Sequence, residues 1–136
     1  MAILVVDDDR TMQTLISAFL SRHGYEVLTA VDAIETLRVL SSHTPELIIL
    51  DIMMPGINGV ELCRALRTRP DTSRTPIIIM SSLNDPFTRE NCLLAGANTF
   101  LNKQDLPTLP EVMRKIFGTG KLRPHQRSDR TLRDQA

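Results

Sequence analysis

Three runs of four consecutive apolar residues, each broken at once by a residue that carries chemistry, constrain this chain more than anything else in it. They are Ile3-Leu4-Val5-Val6 before Asp7, Leu47-Ile48-Ile49-Leu50 before Asp51, and Ile77-Ile78-Ile79-Met80 before Ser81. Runs this short and this rich in β-branched residues favour strands, and the lack of polar alternation means that both strand faces are buried. Strands buried on both faces belong to a parallel sheet with helices packed above and below it.

The segments between the runs have helical spacing. Thr11 to His23 carries Met12, Leu15, Ile16, Phe19 and Leu20, the i, i+3, i+4, i+7, i+8 pattern of an amphipathic helix. Gly24 follows where a helix end favours positive φ. Tyr25 to Val31 is expected as a second strand, and Ala33 to Leu40 as a helix with Ile34, Leu37 and Leu40 on one face. Asp32 is placed to cap that helix. Pro55-Gly56 and Asn58-Gly59 are turn dipeptides. They precede a helix from Val60 to Leu66 that turns Leu62, Cys63 and Leu66 inward. A polar loop, Arg69 to Pro76, leads to the Ile77–Met80 strand. Asp85 to Ala95 is expected as a helix closed by Gly96, Thr99 to Leu101 as a fifth strand, and Leu109 to Phe117 as a last helix with Pro110 tolerated in its first turn. Strand and helix thus alternate five times. Right-handed crossovers make this a doubly wound α/β domain, a five-stranded parallel sheet with five helices.

Length and composition agree with one globular domain. The chain has 136 residues, 42% hydrophobic and 24% charged. Cys63 and Cys92 are too few for a disulfide framework and are read as reduced core residues. No stretch approaches the roughly 20 apolar residues of a membrane span. The apolar N-terminus has neither a basic lead nor a cleavage site, so it is not a signal peptide. A cytoplasmic location is the expectation. Net charge is zero but unevenly spread: from Lys121 onward five basic residues stand against two acidic ones, a net of +3, which leaves −3 for residues 1–120. Balanced charge gives no case for nucleic-acid binding by the globular part. The expected division is a domain at 1–118 and a polar, basic tail or linker at 119–136, too poor in apolar residues to be ordered.

In an open parallel sheet, ligands bind beyond the carboxyl ends of the strands. Those ends carry Asp7, Asp8 and Asp9 after the first strand, Asp51 after the third, Ser81 and Ser82 after the fourth, and Lys103 after the fifth. Asp7 to Asp9 taken alone would suit a helix cap, and Lys103 alone a solvated surface charge. Their collection at one sheet edge points to a site. Converging carboxylates repel unless a cation joins them, and hard oxygen ligands with room for water suit Mg²⁺. A carboxylate on such a metal can act as a nucleophile toward phosphorus. Mg²⁺ and the Lys103 ammonium then supply positive charge, and the Ser81 hydroxyl a hydrogen bond. His23, His43 and His125 follow no strand end and are read as surface residues.

These residues resemble the receiver domain of bacterial two-component response regulators, of the chemotaxis-regulator type. The segments that carry the likeness are Ile3 to Asp9, Leu50 to Gly56 with Asn58-Gly59, Pro76 to Ser81, Ala95-Gly96-Ala97, and Lys103. They span about Ala2 to Phe117. The resemblance implies a flavodoxin-like (βα)5 fold with Asp51 as phosphoacceptor. Asp7, Asp8 and the Met53 main-chain carbonyl would hold Mg²⁺ with Asp51, Asp8 directly and Asp7 largely through water. Ser81 would follow the phosphoryl group, Lys103 would pair with it, and Phe100 would be the rotameric aromatic of the switch. Asp85 to Phe117 would form the surface that changes on activation. The implied partners are a sensor histidine kinase or phosphotransfer protein as donor, and a downstream protein target or output domain. Neither membrane nor nucleic-acid contact by the receiver is implied, and no activity beyond self-phosphorylation and self-dephosphorylation.

Three positions depart from the family's pattern. Gln104 follows Lys103 where a cis proline is usual. A cis bond before a non-proline residue costs about 2.5–4 kcal/mol, so a trans bond and a differently shaped loop are expected. Ser81 stands for the commoner threonine, and Ser82 for a small apolar residue. An aspartyl phosphatase of the haloacid-dehalogenase type would need a second carboxylate two residues beyond Asp51, where Met53 cannot donate a proton. A dinucleotide site would need a G-x-G-x-x-G that the chain lacks. The remaining alternative is a receiver-like docking module insensitive to phosphorylation.

Overall fold

The computed structural model describes residues 1–82 and 85–118. The expected tail at 119–136 lies outside the described residues. Five strands form one parallel sheet: β1 (Ala2–Val6), β2 (Glu26–Ala30), β3 (Leu47–Asp51), β4 (Ile77–Ser81) and β5 (Thr99–Asn102). The helices between them are α1 (Arg10–Arg22), α2 (Ala33–Leu40), α3 (Gly59–Arg67), α4 (Pro86–Leu94) and α5 (Leu109–Phe117). The strand order is β2-β1-β3-β4-β5, so the sheet winds outward in both directions from β1.

Strand parity divides the core in two. Ile3, Val5, Leu47, Ile49, Ile78, Met80 and Leu101 pack against α1 and α5 through Ile16, Leu20, Leu109 and Met113. Their neighbours Leu4, Val6, Ile48, Leu50, Ile77, Ile79 and Phe100 face α2, α3 and α4. Consecutive strand residues point to opposite faces, so an unbroken apolar run is what a sheet covered on both sides requires. Cys63 and Cys92 are free, fully buried thiols of the second layer.

Two helices turn differently from the expectation. In α2 the buried residues are Thr36 and Leu40, with Ala33 and Val39 packed partly beneath, whereas Ile34 and Leu37 are exposed. Thr36 can be buried because its hydroxyl donates to the Asp32 carbonyl at 2.8 Å. In α1, Leu15 faces solvent and Gln13 is buried. The segment after β5 also holds more structure than expected, a 3-10 stretch at Lys103–Thr108. Its peptide bonds are trans, including that between Lys103 and Gln104. Asn102 caps it, accepting the Gln104 N–H at 2.9 Å.

Candidate functional site

Every strand that ends in chemistry ends at the same edge. Asp51 is the last residue of β3 and lies in register with Met80 of β4. Asp7 extends β1 by one residue, its N–H donating to the Ala30 carbonyl at 3.0 Å. The chain then turns sharply: the Asp9 N–H donates to Asp7 Oδ1 at 2.9 Å, and Asp9 Oδ1 accepts from the N–H groups of Thr11 and Met12. Asp9 is therefore the N-cap of α1, and the acidic triplet is shared between capping and the site. Asp32 caps α2 as expected, accepting from the Glu35 N–H at 2.8 Å.

Lys103 reaches back over the edge of the sheet. Its Nζ lies 3.1 Å from Asp7 Oδ2 and 3.0 Å from Asp51 Oδ1. Asp7 and Asp51 are both buried, and Asp8 is exposed. One carboxylate oxygen from each of Asp7, Asp8 and Asp51 lies within 4.8 Å of the other two. Three carboxylates around one ammonium leave an excess of negative charge at this edge. Asp7 Oδ2 is buried, with the Lys103 ammonium 3.1 Å away as its partner among the described residues. Oxygen ligands, a negative excess and one exposed member fit a hydrated divalent cation such as Mg²⁺.

The titration of these groups follows from their packing. Burial pushes the Asp51 carboxyl from its ordinary 3.8 up to about 6. The Lys103 hydrogen bond and charge pull it down, while the charges of Asp7 and Asp8 add to the rise. For Lys103, burial pulls the pKa down, but hydrogen bonds and charge from Asp51 and Asp7 outweigh it, and the ammonium titrates above its usual value. Lys103 thus stays charged at neutral pH, while Asp51 is held as a poorly compensated carboxylate.

The remaining expected residues lie around this centre. Ser81 is buried at the end of β4, in register with Asn102. By parity it shares the sheet face of Ile77 and Ile79. Phe100 is buried on that same face, in register with Ile79 and packed into the α2–α4 core layer. Met53 lies two residues past Asp51 with its side chain exposed. Ser82 and Gln104 are exposed at the rim.

Three features at the site were missed from sequence. Gly59 opens α3 directly against the site: a Cβ there would lie 2.1 Å from the Asp51 carbonyl oxygen, so no larger residue fits. Asn58 and Glu61 form a reciprocal capping box, each side chain accepting the other's N–H at 2.9 Å. The Asn58-x-x-Glu61 spacing was the available signal. Gln13 donates from within α1 to the carbonyls of Asp7 and Ala30. A glutamine among apolar positions gave no such signal.

Comparison with known proteins agrees with this geometry. The family described as the response regulator receiver domain matches residues 3–114. The phosphate regulon transcriptional regulatory protein PhoB of Rhizobium meliloti (strain 1021) is 37% identical over 114 residues, 84% of this chain and 49% of that protein. The chain spans about half the length of the curated relatives it matches. The chemotaxis protein CheY4 of Vibrio cholerae superposes with a TM-score of 0.79 at 29% identity, over 85% of this chain and 97% of that one. The receiver domain of the sensor histidine kinase PA1611 from Pseudomonas aeruginosa superposes at 0.78 with 31% identity, over 87% of this chain and 98% of that one. That structure holds a magnesium ion coordinated in its active site cleft.

Proposed function

This chain belongs to the response regulator receiver family, a module of phosphorylation-based two-component signalling, and from that membership we propose that Asp51 is the residue that accepts the phosphoryl group. The observation that carries the proposal is the Lys103 ammonium bridging Asp7 and Asp51, with the Asp8 carboxylate within reach of both. The donor is a phosphohistidine on a sensor kinase or phosphotransfer protein. An Asp51 carboxylate oxygen attacks phosphorus, the phosphorus–nitrogen bond breaks, and the bonding pair leaves with the imidazole nitrogen.

Asp8 directly, Asp7 largely through water, Asp51, and the Met53 main-chain carbonyl are the groups that would hold Mg²⁺. A thioether is too soft a ligand for this ion, so the Met53 side chain has no part in it. When bound, Mg²⁺ offsets the charge of the carboxylates and of the phosphoryl oxygens. Lys103 is already hydrogen-bonded to Asp51, and its charge neutralises part of what phosphorylation adds. Ser81 donates its hydroxyl to a phosphoryl oxygen and, with Phe100 beside β4, passes the change to the face from Asp85 to Phe117. The readout is a downstream protein or an output domain, without direct nucleic-acid contact by the receiver. No turnover beyond self-phosphorylation and self-dephosphorylation belongs to the proposal. A cytoplasmic location does; among the described residues no helix is long and apolar enough to cross a membrane.

Intact mass after incubation with Mg²⁺ and a small-molecule phosphodonor tests it, with Asp51→Ala alongside. One added phosphoryl group that requires Mg²⁺ and is lost in the variant is the expected result. A folded, Mg²⁺-binding protein that takes up no phosphoryl group would instead be a docking module.

A further inference from the structure

Gln13 is buried on a helix stripe that otherwise carries Ile16 and Leu20. A buried amide is costly unless its polar atoms are bonded, so what it bonds to matters. Its Nε2 donates to the main-chain carbonyls of Asp7, at 3.3 Å, and Ala30, at 3.0 Å. Both partners only accept, so the NH₂ end of the amide must be the one turned toward the sheet. The main-chain N–H of Gln13 donates to the Asp9 carbonyl at 2.9 Å. One residue therefore grips the acidic turn at both ends, Asp7 by its side chain and Asp9 by its backbone. It also ties that turn to β2, because the Ala30 carbonyl accepts from the Asp7 N–H as well.

Carboxylates from Asp7, Asp8 and Asp51 repel one another, and a turn free to relax would let them separate. We infer that Gln13 is a positioning residue of the cation site, its amide holding the Asp7–Asp9 turn where Asp7 and Asp8 can share one divalent ion with Asp51. The inference rests on the Mg²⁺ reading of that site. Gln13 touches neither the ion nor the phosphoryl group; it acts through the backbone of residues that do. Groups of this kind around a metal site set its affinity through the ligands they orient.

Gln13→Met keeps the length and the apolar stripe and removes both donors. Leu20→Ala is the control, a core change on the same helix away from the turn. Magnesium chloride titrated into the full 136-residue chain, followed by amide chemical shifts, gives the dissociation constant for each variant, and a urea midpoint gives its stability. The expected result is Mg²⁺ binding weakened at least tenfold in Gln13→Met, with Leu20→Ala less stable but unchanged in affinity. Should Gln13→Met not fold, Gln13→Asn, whose amide is one methylene too short to reach both carbonyls, is expected to show the same loss. Affinity within twofold of wild type in the folded Gln13 variant overturns the inference, and so does an equal loss in Leu20→Ala. Wild-type protein without Mg²⁺-dependent shifts at Asp7, Asp8 and Asp51 overturns the cation site itself, and the role of Gln13 with it.

Discussion

At the scale of single residues, the site is defined by an imbalance of charge. Asp51 titrates near 6 because burial opposes its ionisation more strongly than Lys103 supports it. A carboxyl whose folded pKa is raised favours the folded state in its protonated form. Ionisation of Asp51 therefore costs nothing below about pH 4, where both folded and unfolded chains are protonated, and costs most above pH 6. In metal-free buffer, Asp51→Asn is expected to raise the urea midpoint at pH 7.5 by the equivalent of about 1–3 kcal/mol and to leave it unchanged near pH 4. Urea titrations at the two pH values in EDTA check this; equal midpoints at pH 7.5 would mean that Lys103 fully compensates the carboxylate. Lys103 plays the opposite part. Lys103→Ala is expected to keep phosphoryl uptake on Asp51, measured by intact mass, while a kinase-to-output assay shows signalling impaired. Asp7, Asp8, Asp51 and Lys103 were all legible in the sequence because each follows a buried strand at one edge. Gln13 was not, since a polar residue in an apolar stripe reveals its purpose only when its partners are known.

At the scale of elements, the strands were legible and the helix faces only partly so. A strand buried on both sides needs every residue apolar, and Ile48-Ile49-Leu50 or Ile77-Ile78-Ile79 admits no other arrangement. A helix needs only one apolar stripe, and its position rotates by about 100° with each residue. In α2 both the 34, 37, 40 line and the 33, 36, 40 line were available. The second is buried because Thr36 satisfies its own hydroxyl against the Asp32 carbonyl. A satisfied polar side chain thus decided a face that hydrophobicity left open. The entry to α3 shows the same limit, since Asn58-Gly59 signals a turn but not what the turn rests against. Gly59→Ala brings a Cβ to 2.1 Å from the Asp51 carbonyl oxygen, which only a backbone shift relieves. It is expected to destabilise by roughly 3 kcal/mol and to slow phosphoryl uptake, because the strained backbone is that of Asp51. Asn58→Ala, one residue earlier, removes an exposed capping box and is expected to cost about 1 kcal/mol with uptake unchanged. Urea midpoints and uptake rates of the two variants separate close packing at the site from capping alone.

At the scale of the whole molecule, fold and site oppose each other in stability. Two core layers hold five parallel strands side by side, and parallel alignment places all their carboxyl ends together. The fold thereby concentrates Asp7, Asp8 and Asp51 where their mutual repulsion is a cost that the core must offset. A ligand that binds only the folded state returns stability as RT ln(1 + [L]/Kd), about 2.7 kcal/mol at a hundredfold excess over Kd. Mg²⁺ near that excess is expected to raise the melting temperature of the wild-type chain by roughly 8–14 °C at pH 7.5, taking about 3–5 °C per kcal/mol for a domain between the small and the large size classes. The gain should shrink as pH falls through 6, since protonated Asp51 is a poorer ligand and the repulsion it relieved has gone. It should also be small in Asp51→Asn, where one carboxylate is already neutral. Thermal melts with MgCl₂ against EDTA, at pH 7.5 and at pH 5, test all three statements together. A Mg²⁺-induced rise that is equal at both pH values, or that survives Asp51→Asn undiminished, would place the ion elsewhere on the molecule and separate the cation from the carboxylate proposed to accept the phosphoryl group.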